Sequence, residues 1–525
     1  MKRRDFLKAT PAASLALMIN GTPIGTYAQS PLLKLLAKSA AQNGRVMVII
    51  QLSGGNDGLN TIIPLDQYAG LSTARANVMI PANQVLPLNG YAATGMHPAM
   101  TGLQTMFNNG QVNIVQGVSY PNPNLSHFRA TDIWFTGSSA NQYLETGWVG
   151  RYLEEEFPGF PNGYPNADMP DPLAIQIGSN VSNLLQGPNV NMGMAIADID
   201  NFYNLINNTV SPAPNTPAGH ELTFIRFIAQ QTQQYTVAIQ NAAASAANLG
   251  TYPANNYLAN QLKIVARLVA GGLQTPVYVV GMGGFDTHSE QVDAVDHTIG
   301  AHANLLTTLS EAVSAFFNDL TLLGHANRVA ATAISEFGRR IISNGSGGTD
   351  HGTGQPIMTF GPGVNPIIIG NNPTIQVGSN VSDNIPMQHD FRSIYAAILA
   401  DWFQVSQQTM TNVLQQNFPI LPVFAPTTVG TETVVTGMDE TLGQNFPNPF
   451  TKTTTINFGT DGNGPVTIEL FDVAGRKVKT VCNQTFDRGK HEITINRDGL
   501  VSGTYFYRMT KGNEHAATKQ MLVVD

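Results

Sequence analysis

The chain predicts an α/β protein: a mainly parallel sheet flanked by helices, followed by a small C-terminal all-β sandwich. Three observations carry this. Continuous apolar runs such as Arg45 to Leu52 (RVMVIIQL) and Val329 to Ile334 read as strands buried on both faces. Amphipathic helical stretches separate these runs, and that alternation argues for a sheet with helices on both sides. After Leu442 the pattern becomes six or seven short strands within about 80 residues, the spacing of a small sandwich.

Taken in order, the chain opens with Met1-Lys2-Arg3-Arg4-Asp5-Phe6-Leu7-Lys8, a twin-arginine export signal. A modestly apolar stretch follows, then the small-residue cleavage site Thr26-Tyr27-Ala28. Pro31 to Ala40 reads as a short amphipathic helix, and Arg45 to Leu52 as the first strand. His97 to Asn109 reads as a helix, Gln111 to Val118 as a strand, and a further helix runs through Trp134. Leu173 to Ile177 is a short strand. Two helices follow, Gly219 to Leu249 and Ala254 to Ala270, and then the strand Val277 to Val280. The next stretch carries Ile299, Leu305, Leu309, Val313, Phe316, Leu320 and Leu323 on one stripe, a long helix on the protein surface. The strands Val329 to Ile334, Pro356 to Phe360 and Pro366 to Ile369 come next, and His389 to Trp402 is a helix. A Thr-, Val- and Pro-rich change of composition marks a linker. The division is therefore 1–28 signal peptide, 29–421 α/β domain, 422–440 linker and 441–525 sandwich.

Composition narrows the function. Only 12% of the 525 residues are charged, about half the usual share, which suits a loop-rich exported protein. Residues 29–440 hold 13 basic and 26 acidic side chains, and so lack the basic surplus that nucleic acid binding requires. An acidic domain is compatible with recruiting metal cations. The single cysteine, Cys482, excludes an intramolecular disulfide and a cysteine-based metal site. No later run reaches the roughly 18 apolar residues of a membrane span.

The chemistry-bearing residues gather in loops at strand ends, where an open α/β sheet places its ligands. These loops offer Asn56 and Asp57, Ser126 and His127, Asp286 and His288, Glu336 and Arg339, and Asp350 and His351. Carboxylates mixed with imidazoles are the donors of zinc, manganese or calcium sites. Ser126 is placed to be a nucleophile and Arg339 to clamp an anion. Ser126-His127 also reads as a helix cap, Asp57 as a turn former, and Glu336 with Arg339 as a structural ion pair. His97 reads as a local cap, and His297, His302 and His325 as structural residues of the surface helix.

Two resemblances follow from these residues. Leu442 to Phe450 (LGQNFPNPF), Phe471-Asp472-Val473-Ala474-Gly475-Arg476 and Ser502 to Tyr507 resemble the C-terminal sorting domain of the type IX secretion system. That resemblance implies carriage across an outer membrane to the cell surface or the exterior, with the type IX machinery as partner; the N-terminal signal adds the twin-arginine machinery and transit through the periplasm. Leu52 to Asn60, Ser126-His127-Phe128, Asp286-Thr287-His288, Ser335 to Arg339 and Gly348 to Gly352 resemble the domain of unknown function 1501 family. It is grouped by fold with the alkaline phosphatase and sulfatase superfamily.

This second resemblance implies a divalent metal ion held by Asp57, Asp286, His288, Glu336, Asp350 and His351, with Ser126 as nucleophile and an anionic ester as substrate. Two registers stay open. Asp350-His351-Gly352 resembles the superfamily's Asp-His-Gly pair by sequence. By strand position Glu336 takes that place, His351 becomes the final histidine, and Phe337 stands where a ligand histidine would be. The expected function is metal-dependent hydrolysis of phosphate or sulfate esters. The alternatives are a non-catalytic surface binding or scaffold protein on the same fold, or polysaccharide recognition through the loop Tyr120 to Asn124.

Overall fold

The computed structural model describes residues 44–197, 235–425 and most of 442–524, together with two short strands at Met18–Ile19 and Thr22–Pro23. Apart from those two strands, the signal peptide lies outside the described residues, as do the helix expected at Pro31 to Ala40 and the linker beyond residue 425. So does the first part of the helix expected from Gly219; its continuation is helical over residues 235–245. The chain forms two compact units, Met1–Pro426 and Thr427–Asp525.

The first unit is built on a nine-stranded sheet. Its strands are β1 (Val46–Leu52), β2 (Val112–Ser119), β3 (Ala174–Ile177), β4 (Met194–Ile196), β5 (Val277–Met282), β6 (Val329–Ile334), β7 (Gln355–Phe360), β8 (Ile368–Ile369) and β9 (His389–Asp390). The spatial order is β8-β2-β7-β6-β1-β5-β3-β4, with β9 also pairing β2. β1 is central and runs parallel to both β5 and β6. Its apolar run has no polar alternation because both faces are covered. Val46, Val48, Ile50 and Leu52 pack into one core layer, and Met47 and Ile49 into the other. Each such aliphatic side chain removed from water contributes about 1.5–3 kcal/mol.

One strand departs from the parallel pattern. β7 is antiparallel to β6 on one side and to β2 on the other. The cause is local. After β6 the chain makes a two-stranded ribbon, Arg339–Ser343 against Thr349–His351, and returns directly as β7. Without a helical crossover the next strand can only run back. β2 therefore points the same way as β1, β5 and β6, and all four end at one edge of the sheet.

Helices cover both faces. α1 (Thr101–Asn108), α4 (Tyr257–Ala270) and α5 (Ala301–Leu322) contribute to one core layer. α2 (His127–Thr136), α3 (Trp148–Glu156) and α6 (Phe391–Ala397) contribute to the other. The expected surface helix is α5. Its stripe at Leu309, Val313, Phe316 and Leu320 is buried, but Ile299 lies before the helix and is exposed. His302 sits fully buried on this inward face, four residues before Leu306.

The second unit is the sandwich. β10 (Thr453–Thr460) pairs with β13 (Gly489–Asn496). β11 (Gly464–Asp472), β12 (Lys477–Phe486), β14 (Gly503–Lys511) and β15 (Glu514–Val523) form an antiparallel sheet in the order β12-β11-β14-β15. Ile456, Phe458 and Ile495 from the first sheet share a core with Ile468, Leu470, Tyr507 and Met521 from the second.

Candidate metal centre

The loop after β1 begins Ser53-Gly54-Gly55. Gly54 has φ +125°, and a Cβ there would come within 2.3 Å of the Asp286 backbone nitrogen. Gly55 has φ +81°, and its Cβ would meet the Phe337 ring at 2.4 Å. Glycine at both positions lets this loop nest against the loops that follow β5 and β6.

Each of those loops delivers one or more side chains. After β2, Tyr120 accepts from the Asn124 backbone N–H at 3.0 Å, and the Asn124 amide oxygen accepts from the Ser126 N–H at 2.9 Å. This clip starts α2 with Ser126 as N-cap and His127 in the first turn. After β5 come Asp286 and His288. After β6 comes Glu336, and the ribbon brings Asp350 and His351.

Three imidazoles converge on Asp286 with the same nitrogen. His127 Nε2 lies 3.4 Å from its Oδ2, His288 Nε2 lies 3.0 Å from Oδ1, and His351 Nε2 lies 3.1 Å from Oδ1. His288 Nε2 and His351 Nε2 are 2.9 Å apart. Each ring is held from behind at Nδ1 by an oxygen acceptor: Glu336 Oε1 at 2.9 Å for His127, Asp350 Oδ1 at 3.1 Å for His288, and the Leu125 carbonyl at 2.9 Å for His351. An oxygen acceptor at Nδ1 favours the proton there and leaves the Nε2 lone pair facing the centre.

The donor set fits a metal ion. His127, Asp286 and His351 offer ligand atoms all within 4.8 Å of one another. His288 Nε2 adds a fourth atom at the same spacing from Asp286 and His351. Metal–ligand lengths of about 2.0–2.2 Å place neighbouring donors of a tetrahedral shell about 3.3 Å apart, close to the separations here.

Electrostatics keep the donors ready. Burial opposes the charge on Asp286, but hydrogen bonds from Arg339 and His351 outweigh it and hold its pKa down to about 2. Burial lowers the pKa of His351 despite its bond to Asp286, so the ring is neutral near pH 7. Phe337, only 2% exposed, lies under the site, with ring centroids 4.9 Å from His127 and 4.5 Å from His351. Beside the centre is a pocket of about 430 Å³ whose wall includes His127, Phe128, Gly283, Asp286 and Glu336.

The expected site residues therefore divide. Asp286, His288 and His351 come together. Glu336 and Asp350 hold histidines from behind and do not join the three-residue donor group. Glu336 also accepts from the Gly54 N–H at 2.8 Å.

Arg339 is expected as an anion clamp, but its guanidinium is fully buried and already engaged. It donates to the carbonyls of Gly54, Gly55, Phe285 and Thr349 and to Asp286 Oδ1, the last at 2.7 Å. Asp57 is expected as a ligand, but its carboxylate is given to Arg75 at 2.6 and 3.1 Å and to the Gln291 amide at 2.6 Å. Ser126 is exposed, makes no side-chain capping bond, and is not among the residues of the pocket wall.

His127, offered with Ser126 among the loop residues and also read as part of a helix cap, joins the donor group although it was not expected as a ligand. The available signal was its position at the exit of a strand whose end shares an edge with β5 and β6.

A second buried polar group lies behind β1. Asn56 Oδ1 is 3.0 Å from His302 Nε2, and the His97 and His302 rings are 6.1 Å apart at 83°. His97 Nδ1 accepts from the Ala99 N–H, whereas its Nε2 and His302 Nδ1 have no hydrogen-bond partner among the described residues. His97 is thus the local cap expected, and it is also fully buried.

Fold and site together define an α/β protein with a histidine–carboxylate centre at the strand-end edge of its main sheet. It belongs to the family described as "Protein of unknown function (DUF1501)", which matches residues 117–421 and so covers all three histidines and Asp286. Residues 444–524 match the secretion system C-terminal sorting domain, which points to export to the cell surface or beyond it. No curated protein matches the chain.

Among solved structures, the chain is similar to a protein in the alkaline phosphatase superfamily from Vibrio parahaemolyticus, with 11% identity, 83% of this chain and 81% of that one covered, and a TM-score of 0.32. A Bacteroides thetaiotaomicron protein of a core genetic locus for metabolism of glycosaminoglycans gives 11% identity, coverage of 84% and 90%, and a TM-score of 0.33. PorU from Porphyromonas gingivalis gives 23% identity over 16% of this chain, with a TM-score of 0.15; the chain spans only 9% of PorU. No helix among the described residues is long and apolar enough to cross a membrane.

Proposed function

We propose that the protein is an exported metal-dependent hydrolase acting on phosphate or sulfate esters. The observation that carries this reading is the convergence of His127, His288 and His351 on Asp286, each through Nε2 and each fixed at Nδ1. Three nitrogens and one carboxylate suit zinc or manganese better than calcium, which takes six to eight oxygens. A divalent cation held by these residues supplies positive charge that polarises an ester oxygen and lowers the pKa of a nearby hydroxyl.

The chain's own residues do the rest. Glu336, Asp350 and the Leu125 carbonyl fix the three tautomers. Arg339 orients Asp286 and keeps it charged. Phe337 closes the underside of the site to water. Ser126, next to His127 and with a hydroxyl that makes no bond to the helix it caps, is the candidate nucleophile.

A second reading is a surface binding or scaffold protein with no turnover. The observation favouring it is His288. Its Nε2 stands 3.0 Å from Asp286 and 2.9 Å from His351, and a fourth protein donor would close the shell, as in structural sites, whereas catalytic sites keep a position open.

One experiment tests both. Purified protein is stripped of metal, reloaded with cobalt(II), and assayed on aryl phosphates and sulfates. Hydrolysis that returns with the metal, with a visible spectrum that changes on adding phosphate, supports the enzyme. A four-coordinate spectrum indifferent to anions, with no turnover, supports the scaffold. Failure to bind any divalent ion removes the metal centre itself.

A further inference from the structure

We infer that the pocket beside the centre binds an uncharged ring, so that the group carrying the ester is a pyranose or an aryl alcohol. The choice of bond cut rests on the hydrolytic reading above; the binding of the ring does not.

The pocket, about 430 Å³, lies at the lower end of the roughly 300–1,000 Å³ common for small-ligand sites. None of the described residues lining it is Lys or Arg, and its ionisable carboxylates, Asp286 and Glu336, are acidic. Arg339 reaches Asp286 only from the buried side. A substrate with a second negative group would set that charge against these carboxylates. The scissile anion alone can be met by the centre.

The walls are shaped for a flat, apolar face. Phe128 follows His127 in the first turn of α2 and leaves 91% of its surface exposed. An aromatic face exposed beside polar groups is the usual partner of a stacked ring. Another wall is bare backbone at Gly283 and Gly284. The hydroxyl of Tyr257 donates to the Gly283 carbonyl at 3.4 Å.

The glycines differ in why they are glycine. Gly54 and Gly284 have φ of +125° and +101°, where other residues are strained. Gly283 has no such constraint, and a Cβ there meets nothing within 4 Å. The fold does not require a bare position at Gly283, whereas a ring lying in the pocket does.

The test measures ring binding directly on the full-length, zinc-loaded protein. Methyl β-glucoside and benzyl alcohol are titrated separately and followed by saturation-transfer NMR, in wild type, Phe128→Ala and Gly283→Leu. The expected result is that at least one probe binds, and that each variant weakens it tenfold or more while metal content and thermal midpoint stay unchanged. Binding of the glucoside identifies a glycan source, and binding of the alcohol an aryl source. The inference is overturned if neither probe binds, or if both variants bind as wild type does. Ring binding without ester turnover leaves this inference standing and removes the hydrolase; turnover without ring binding does the reverse.

Discussion

His127 Nδ1 stands 2.9 Å from Glu336 Oε1, and this contact decides which face of the imidazole meets Asp286. Glu336 is only 4% exposed in its side chain and also accepts from the Gly54 N–H, so it cannot turn away without losing two partners. The carboxylate from β6 acts on the centre through a histidine from α2. Glu336→Gln should weaken metal binding 10–100-fold, the usual cost of losing a residue behind a ligand histidine. Chelator competition on wild type and variant reads it, and equal affinities would remove the positioning role.

Arg339 should matter to stability before it matters to turnover. Its guanidinium ties the β1, β5 and ribbon loops together through four backbone carbonyls. Arg339→Met leaves those acceptors and Asp286 without their donor, and should cost about 3–5 kcal/mol. Denaturant unfolding followed by tryptophan fluorescence measures this. A variant as stable as wild type, with metal retained, would contradict the strut role.

Asp57 and Asp286 should part company on mutation. Asp57→Asn leaves Arg75 buried without its counter-charge and should destabilise by about 3 kcal/mol or more, with metal stoichiometry unchanged. Asp286→Asn should instead lose metal. Elemental analysis beside thermal unfolding separates the two, and loss of metal from the Asp57 variant would return it to the ligand set.

Acid should destabilise the first unit through His97 and His302. Burial lowers both, His97 to about 3 and His302 to about 4, against about 6.5 in an unfolded chain. With the folded values depressed, their contribution is fully present above about pH 6.5. It is lost as pH falls toward 4, because the unfolded chain takes up the protons first. The slope is about 1.4 kcal/mol per pH unit for each histidine. Denaturant midpoints between pH 7 and 4 measure it, and His302→Gln should flatten the curve. An unchanged slope would show that the ring is not what acid attacks.

The strand ends were legible because each is an apolar run stopped abruptly by glycine and polar residues. Asp286 and His288 were readable as donors because they follow such an end directly, and His351 because it follows the glycine-rich turn beyond one. Asp57 and Arg339 have the chemistry of a ligand and a clamp but serve as buried struts, and residue type does not reveal that both are enclosed and saturated. His302 carried a usable sign, since it shares helical spacing with Leu306, Leu309 and Val313 on the inward stripe of α5. The reversal at β7 lay in the stretch between Gly338 and Gln355, which folds as a two-stranded ribbon instead of a crossover helix.

That reversal makes the loop after β2 a caliper. With β7 inserted between β2 and β6, the two strand ends stand two strand spacings apart, roughly 10 Å. Residues 120–126 must bridge that gap to set His127 against Glu336, and the Tyr120–Asn124 clip fixes their reach. Changes of residue identity on the outer side of this loop are tolerable, but a change of its length by even one residue would miss the mark. Among variants of this chain, insertions and deletions in 120–126 should therefore separate a sheet that still folds from a centre that no longer assembles.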